Sequence, residues 1–218
     1  MTRRIPSTLS ILAFLGLVAG GCQSTGVGDP CIPEDEYQQT FPGYAVDEVN
    51  VESRSFQCET RVCLVNHFQG RVSCPYGQTG TDALGADGKA DTGDELVGVD
   101  GKRCRIPGTT GADPSDTIDT EVKPQLAKRQ TDKAVYCSCR CKNAQGNTDD
   151  GARYCDCPSG FSCEKLLDDL GLGSSQLAGY YCIRDNTKYD PTTTGGDQCI
   201  AGSAEGSPSY CGNNGVNP

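Results

Sequence analysis

The sequence of 218 residues has no tryptophan, one methionine, which is Met1, and one histidine, His67. Large apolar residues are also scarce. After residue 21, Leu, Ile, Val and Phe together fill 30 of 197 positions, or 15%. Charged chains with less than about 20% of these residues tend to be disordered, because so little apolar surface does not offset the entropy of ordering the chain. Hydrophobic burial alone therefore does not explain a fold, and another cohesive interaction is required.

The scarcity of histidine also restricts the chemistry. A Ser or Cys nucleophile needs a neighbouring base, and no serine lies in a G-x-S-x-G motif. His67 falls in NHFQG, which predicts a turn, so we interpret it as a surface or packing residue. The sequence predicts no catalytic residue, no metal ligands and no cofactor. An exported thiol-redox or other enzyme is the alternative hypothesis.

Positive charge is the next deficit, since the chain has 19 basic and 29 acidic residues. Residues 1–21 contain two arginines and no acid, so the remainder has 17 basic and 29 acidic residues and a formal charge of -12. A chain with this charge repels nucleic acid and anionic membranes, whereas it attracts cations and basic partners. We therefore expect no nucleic-acid partner.

The first 24 residues read MTRRIPSTLSILAFLGLVAGGCQS. Arg3 and Arg4 precede an apolar run over residues 11–18, and small residues then lead to Cys22. This order is typical of a secretory signal, and the run is shorter than the about 20 residues that span a bilayer. The segment resembles bacterial lipoprotein signals, in which the cysteine receives a diacylglyceryl group, the chain is cut before it and the new amine is acylated. Ala19 stands where that family usually has leucine.

The resemblance implies removal of residues 1–21 and an anchor of acyl chains on Cys22. Gln23 is not the aspartate that commonly retains lipoproteins at the inner membrane, so the expected location is the outer membrane, facing the periplasm or the cell surface. Several acyl chains make a durable anchor, because each buried CH2 contributes about 0.8 kcal/mol. The expected partners are the membrane, through this lipid, and an envelope protein or glycan.

Cysteine is the abundant residue: the chain has 15, and 14 remain if Cys22 carries lipid. Disulfides persist in exported proteins, and an even cysteine count in a chain with little apolar surface favours a disulfide framework. We predict up to seven disulfides, with the connectivity left open. The candidates are Cys31, Cys58, Cys63, Cys74, Cys104, Cys137, Cys139, Cys141, Cys155, Cys157, Cys163, Cys182, Cys199 and Cys211.

Composition divides the chain into segments, and we predict small disulfide-rich, β-dominated modules with one short helix and long irregular, partly disordered segments. The connector is rich in Gly, Asp and Thr, with 9, 8 and 8 of these in 55 positions. The predicted segments are a signal peptide (1–21), a lipid-anchored tether (22–30), a disulfide-stapled β module (31–76), a flexible acidic connector (77–131), a cysteine-rich β module with a short helix (132–184) and an irregular tail (185–218).

Within residues 31–76, GYAVDEVNVE, TRVCLVN and GRVSCPY are runs rich in β-branched residues, which predict strands. In TRVCLVN, Val62 and Leu64 alternate with Cys63 and Val65, so these two pairs should face opposite sides of a sheet. NHFQG predicts a hairpin loop between this strand and GRVSCPY.

In the second module, KAVYCSCRCK predicts a strand with Cys137, Cys139 and Cys141 on one side. After the turn NAQGNTDDG, one hairpin hypothesis places Cys141 opposite Cys155 and Cys139 opposite Cys157. Neighbours in C-x-C spacing should bond to another strand rather than to each other.

Further along, Cys163, Leu166, Leu167 and Leu170 recur at helical spacing and predict a short helix that ends near Gly171. LAGYYCIR predicts a closing strand that brings Cys182 close to it. In the tail, the simplest pairing joins Cys199 to Cys211.

The partner of Cys104 distinguishes two organisations. If Cys104 pairs with a later cysteine, the first module closes on its own four cysteines. If it pairs with an earlier one and all 14 are bonded, at least one disulfide must join the two modules.

Three binding hypotheses arise from side-chain clusters. The stretch YCSCRCKNAQGNTDDGARYCDCPSGFSC has C-x-C rather than the C-x-x-C spacing of structural zinc and thioredoxin-like sites, so disulfides are favoured over metal or redox chemistry. The connector acids suggest a calcium-dependent adhesive module, although they do not fit an EF-hand loop, and a solvated linker is the favoured interpretation. These acids are Asp82, Asp87, Asp91, Asp94, Glu95 and Asp100.

The tyrosines of the second module should pack beside the cystines, and an exposed aromatic binding face is the alternative. These tyrosines are Tyr136, Tyr154, Tyr180 and Tyr181.

CDCPSGFSC resembles a fragment of EGF-like modules over nine residues. Together, QCETRVCLVNHFQGRVSCPYGQ, CSCRCKN and YCDCPSGFSC resemble the cysteine-rich, mostly uncharacterised lipoproteins of myxobacteria over about a third of the chain. This resemblance implies an envelope location and no particular activity. The expected function is that of a lipid-anchored envelope protein with a structural or binding role.

Overall fold

The computed structural model of the chain describes residues 26–80, 96–98, 103–169, 171, 175–192, 197–200 and 202–211. The predicted signal segment, the lipidation site Cys22 and the six connector acids lie outside these residues. In chain order the described strands are β1 Val49–Glu52, β2 Val62–Asn66, β3 Gln78–Gly80, β4 Leu96–Gly98, β5 Val135–Ser138, β6 Arg140–Lys142, β7 Phe161–Leu167 and β8 Gly179–Arg184. The helical elements are α1 Thr131–Ala134 and two 3-10 turns, Glu34–Tyr37 and Pro114–Asp116.

The first sheet is antiparallel with the order β1–β2–β5. Its central strand β2 places Cys63 opposite Glu52 of β1 and opposite Cys137 of β5. Since β5 belongs to the predicted second module, the two cysteine-rich modules share one sheet.

The second sheet has the order β6–β8–β7 and is also antiparallel, with Cys163 opposite Cys182. β3 and β4 form a separate two-stranded pair. The β-dominated, disulfide-rich fold class expected from composition is confirmed in the described residues.

The two faces of β2 bury different clusters, as its alternation predicts. Cys63 and Val65 lie in a cluster with Tyr44, Phe68 and Val135. The opposite face carries the second cluster, in which the second sheet packs on the first, formed by Leu64, Tyr136, Tyr181 and Ile183 with Val49, Val51, Val62, Phe161, Leu166 and Leu167 at its edge. The core around the first sheet is therefore two thin layers of side chains, one on each face.

The helix predicted from Cys163 to Leu170 is wrong, because residues 161–167 form strand β7. An isolated helix of eight residues is marginal in water, whereas β7 pairs with β8 along its whole length. The pairing register shifts between Lys165 and Leu167. Such an irregularity re-aims neighbouring side chains, and Leu166 and Leu167 both pack against the second cluster. The helix of the described structure is α1, directly before β5.

The hairpin predicted around NHFQG is also wrong. Residues 70–76 form turns with an isolated bridge between Arg71 and Cys74, and β2 instead takes its partners from β1 and β5. Arg71 in this segment donates side-chain hydrogen bonds to residues 36–41, as described below. The predicted single strand over residues 133–142 is interrupted at Cys139, and β5 and β6 enter different sheets.

Residues 103–131, expected within the flexible connector, are packed against the body. Ile118 and Val122 are buried beside Cys74. The side-chain amide of Gln78 donates to the Ile118 carbonyl, and its oxygen accepts the N–H of Cys104. The apolar pattern does not reveal this order because few apolar residues take part, and glutamine hydrogen bonds and a disulfide supply the other contacts.

The end of the predicted tether is part of the body as well. Gly28 donates its N–H to the Cys137 carbonyl, and Cys137 donates its N–H to the Asp29 carbonyl, both at 2.8 Å. Val27 packs against the cysteines of the second sheet. The chain is thus fixed to β5 at Gly28, six residues after Cys22.

All 14 cysteines after Cys22 form disulfides, with Cα–Cα distances of 5.3–6.2 Å, as disulfide geometry requires. Cys104 pairs backward with Cys74, and Cys58 pairs with Cys137 across the two modules. This is the cross-linked organisation of the two alternatives. The pairing of Cys199 with Cys211 is confirmed. The remaining pairs are Cys31–Cys63, Cys139–Cys155, Cys141–Cys163 and Cys157–Cys182.

Removal of the bridge between the modules should be more damaging than removal of a local one. Cys58 and Cys137 are 79 residues apart, whereas Cys199 and Cys211 are 12 apart. We expect Cys58→Ala with Cys137→Ala to lower the free energy of unfolding by about 2–5 kcal/mol, and by about 1.5 kcal/mol more than Cys199→Ala with Cys211→Ala, since longer loops lose more closure entropy. Denaturant titration of both double variants measures this difference. An equal or larger loss for the Cys199–Cys211 variant would contradict it.

Candidate functional site

The cysteines of the second sheet come together through β6, β7 and β8. Cys141 of β6 reaches Cys163 of β7, while Cys157 reaches Cys182 of β8. The predicted hairpin register, Cys141 opposite Cys155 and Cys139 opposite Cys157, is wrong. Strand β8 occupies the edge of β6 where the returning hairpin strand was expected, and residues 154–158 run outside the strands.

Three of these disulfides touch one another. The Sγ of Cys182 lies 3.7 Å from the Sγ of Cys139 and 3.7 Å from that of Cys155. The Sγ atoms of Cys141, Cys157 and Cys163 lie within 4.8 Å of each other. We call the six cysteines of these three bridges the sulfur cluster: Cys139, Cys141, Cys155, Cys157, Cys163 and Cys182. It takes the place that aliphatic side chains occupy in a conventional core.

Metal binding is the alternative use of such a cluster. Among the described residues, three groups of cysteines each have sulfur atoms within 4.8 Å of one another: Cys31, Cys58 and Cys137; Cys139, Cys155 and Cys182; Cys141, Cys157 and Cys163. Each group draws its atoms from two neighbouring disulfides. Metal coordination requires thiolates, so a group becomes a set of three ligands only after both of its bridges are reduced. In the disulfide form they act as packing atoms.

A buried ion pair lies in the first module. Glu36, in the first 3-10 turn, and Arg71 both have fully buried side chains, and Arg71 Nε lies 4.0 Å from Glu36 Oε2. The Glu36 carboxylate accepts the N–H groups of Val72 and Ser73 and the hydroxyl of Ser73. Burial raises the pKa of Glu36 above its usual range, while these hydrogen bonds and Arg71 oppose the shift.

The Arg71 guanidinium completes this clamp. It donates hydrogen bonds to the carbonyl groups of Glu36, Gln38 and Phe41. Because the pair has no exposed surface, it acts as a fastening between residues 34–41 and 71–73 rather than as a site for a ligand. The sequence contains no local signal for it, since the two residues are 35 positions apart.

His67 belongs to another group of packed polar side chains, together with Arg129 and Tyr189. It follows β2 with φ of +53°, and its Nδ1 lies 3.0 Å from the Val46 carbonyl oxygen. Its ring stacks on that of Tyr189 at 3.9 Å between centroids and 6° between planes. Burial lowers the pKa of His67, with a contribution in the same direction from the charge of Arg129, while the Val46 hydrogen bond opposes it.

Arg129 ties this stack to the body. Its guanidinium donates to the carbonyl groups of Asn66, His67 and Thr187, and lies 5.7 Å from the centre of the Tyr189 ring. The tail is thereby fixed to the end of β2. Of the two roles expected for His67 from the sequence, surface or packing, its contacts are those of a packed residue. Arg129 and Tyr189 lie in segments without periodicity, so sequence reasoning missed both.

Of the four tyrosines singled out from sequence, Tyr180 packs against the sulfur cluster. Tyr136 and Tyr181 are buried among Leu64 and Ile183. Tyr154 donates its hydroxyl hydrogen to Asp150, 2.6 Å away. The expectation that the tyrosines pack beside the cystines therefore holds for Tyr180, whereas Tyr136 and Tyr181 pack among aliphatic side chains.

No protein-family model, curated protein or solved structure matches this chain. In the described residues no helix is both long enough and apolar enough to cross a membrane.

The protein has one histidine, so its titration is directly observable. We expect the NMR midpoint of His67 to lie below 6.5, and Tyr189→Leu to move it upwards because the imidazole loses its covering ring. Since the folded pKa is the lower one, the unfolded chain binds more protons between the two values, and stability is lost as pH falls from 6.5 through the folded pKa. A midpoint at or above 6.5 in the folded protein would contradict the packed environment.

The buried ion pair gives a second prediction. Arg71→Met leaves a buried carboxylate and three carbonyl groups without their partner, and we expect a loss of about 3–5 kcal/mol in the free energy of unfolding. Glu36→Gln should destabilise as well, and the double variant should lose less than the sum of the two, because the charges are coupled. Denaturant titration of the four proteins tests this. Strict additivity would mean that the two side chains act independently.

Proposed function

We propose that this chain is an exported envelope protein held to a membrane by lipid on Cys22, with a structural or binding role rather than a catalytic one. The observation that carries the proposal is the cysteine count. Fourteen of the fifteen cysteines pair with each other, and the fifteenth is Cys22. A lipidation site that is chemically distinct from the disulfide framework fits this division.

The disulfides support export. Bridges of this density persist in oxidising compartments and are rare where glutathione and thioredoxin keep thiols reduced. Their large number suggests an extracellular or envelope location for this chain. The lipoprotein-like segment ending at Cys22 narrows the proposal to the outer membrane.

A structural or binding role is favoured by what the sulfur and ionisable groups do. The cysteines are bonded, the buried Glu36–Arg71 pair fastens two segments, and His67 stacks on Tyr189. Each of these described groups thus has a bonded or packed partner. The binding function then rests with the surface of a rigid, cross-linked body.

The lipid anchor is tested by substitution of the acylated residue. We expect Cys22→Ser to lack the lipid mass and to leave the membrane fraction, as soluble or uncleaved protein. Gln23→Asp is the matched control: it should keep the lipid mass and move to the inner-membrane fraction. Intact-mass analysis and membrane fractionation provide both measurements. If Cys22→Ser fractionates with the lipidated form, the anchor proposal is wrong.

A further inference from the structure

The loop between β1 and β2, residues 53–61, carries the most exposed large apolar side chain of the described residues. Phe56 is 90% exposed, compared with 59% for Ile200 and 48% for Tyr37. A single exposed aromatic ring is common on protein surfaces and does not define a site. The surroundings of this one distinguish it.

The Phe56 loop, as we call residues 53–61, is held rigidly. Ser55 is buried and donates its N–H to the Arg61 carbonyl, and Arg61 donates its N–H to the Cys58 carbonyl. Cys58 is bonded to Cys137 of β5. Phe56 therefore projects from a fixed loop. Because the loop is already ordered, it loses little conformational entropy when the ring binds to another surface.

The tip of the loop combines apolar and cationic groups. The guanidinium of Arg61 lies 4.9 Å from the centre of the Phe56 ring, and Arg54, two residues before Phe56, is exposed. The loop's one acidic residue, Glu59, is turned towards the N-terminal segment: a Cβ on Gly26 would lie 2.9 Å from its Cβ.

Further acids lie at the base of the loop. The carboxylate of Glu52 accepts the N–H of Glu34 there. Aromatic rings and arginines with this arrangement are suited to the interface of a bilayer, where the ring enters the acyl boundary and the guanidinium reaches lipid phosphate.

The position of the N-terminal segment indicates that the Phe56 loop faces the membrane. Gly26 lies against Glu59 of the loop, and Gly28 is hydrogen-bonded to Cys137, the disulfide partner of Cys58. Cys22 precedes Gly26 by four residues, so their Cα atoms are at most about 14 Å apart, even in a fully extended chain. A lipid on Cys22 therefore holds this side of the body at the membrane surface.

We propose that the Phe56 loop is a second membrane contact, with Phe56 at the boundary of headgroups and acyl chains and Arg54 and Arg61 on lipid phosphate groups. This inference rests on the proposed lipid anchor. The lipid supplies the attachment, and the loop sets the orientation. The acidic remainder of the body is repelled by an anionic surface, which favours the orientation with the Phe56 loop towards the lipid.

The absence of tryptophan allows a direct test. Phe56→Trp, made in the full-length chain and purified in its lipidated form, is reconstituted into phosphatidylethanolamine–phosphatidylglycerol vesicles with and without brominated acyl chains. We expect a blue-shifted emission, protection from acrylamide and loss of intensity with brominated lipid. Ile200→Trp is the matched control, since it carries an exposed tryptophan in the loop closed by Cys199–Cys211 and should stay water-accessible.

Charge reversal adds a second readout. Arg54→Glu with Arg61→Glu, in the Phe56→Trp protein, should restore acrylamide quenching and remove quenching by brominated lipid, while the protein still floats with the vesicles. If the Phe56→Trp protein floats and carries the lipid mass but its tryptophan stays in water, the membrane-contact inference is wrong and the anchor proposal stands. If the lipid mass is absent from Cys22 and the protein does not float, both are overturned.

Discussion

The constraint on which the structure depends is the disulfide between Cys58 and Cys137. It closes the Phe56 loop onto β5 and so ties the two cysteine-rich modules together at the shared sheet. With Leu, Ile, Val and Phe at 15% of positions after residue 21, the hydrophobic clusters on the two faces of that sheet are thin. Cross-links act mainly by lowering the entropy of the unfolded chain, which suits a body with little apolar surface to bury.

Around this constraint, different interactions hold different parts. The sulfur cluster is the core of the second sheet, with Tyr180 and Val27 packed against it. Where no cystine is available, hydrogen-bonded side chains fasten irregular segments: Arg71 and Glu36 hold residues 34–41, and Arg129 holds the chain near Tyr189. These buried polar groups make several hydrogen bonds each, which offsets the cost of removing them from water. The result is a cross-linked body in which Gly28 and Asp29, near the start of the described chain, are already hydrogen-bonded to β5.

The sequence predicted those features that depend on local pattern or on counting. The alternation of Val62 to Val65, the closing strand around Cys182, the Cys199–Cys211 pair and the rule linking a backward Cys104 to a bridge between modules all agree with the structure. The helix from Cys163 and the Cys141–Cys155 register were wrong because β8 inserts between β6 and β7, a non-local choice that local spacing does not encode. Residues 103–131 were misjudged for a related reason, since Gln78 and a disulfide hold them without an apolar periodicity. The surface pairing of Phe56 with Arg61 depends on the loop conformation and has no sequence signature.

The most direct test of a single cross-linked body is a disulfide map of the native protein, alkylated without reduction and digested with trypsin. Cleavage after Arg54, Arg61, Lys133 and Arg140 gives one peptide with Cys58 alone and one with Cys137 and Cys139. The account predicts that these two peptides are joined and that none of the 14 cysteines from Cys31 to Cys211 is alkylated. A Cys58 peptide joined instead to Cys31, Cys63 or Cys74, or recovered with an alkylated thiol, would mean that the Cys58–Cys137 cross-link is absent and would contradict it.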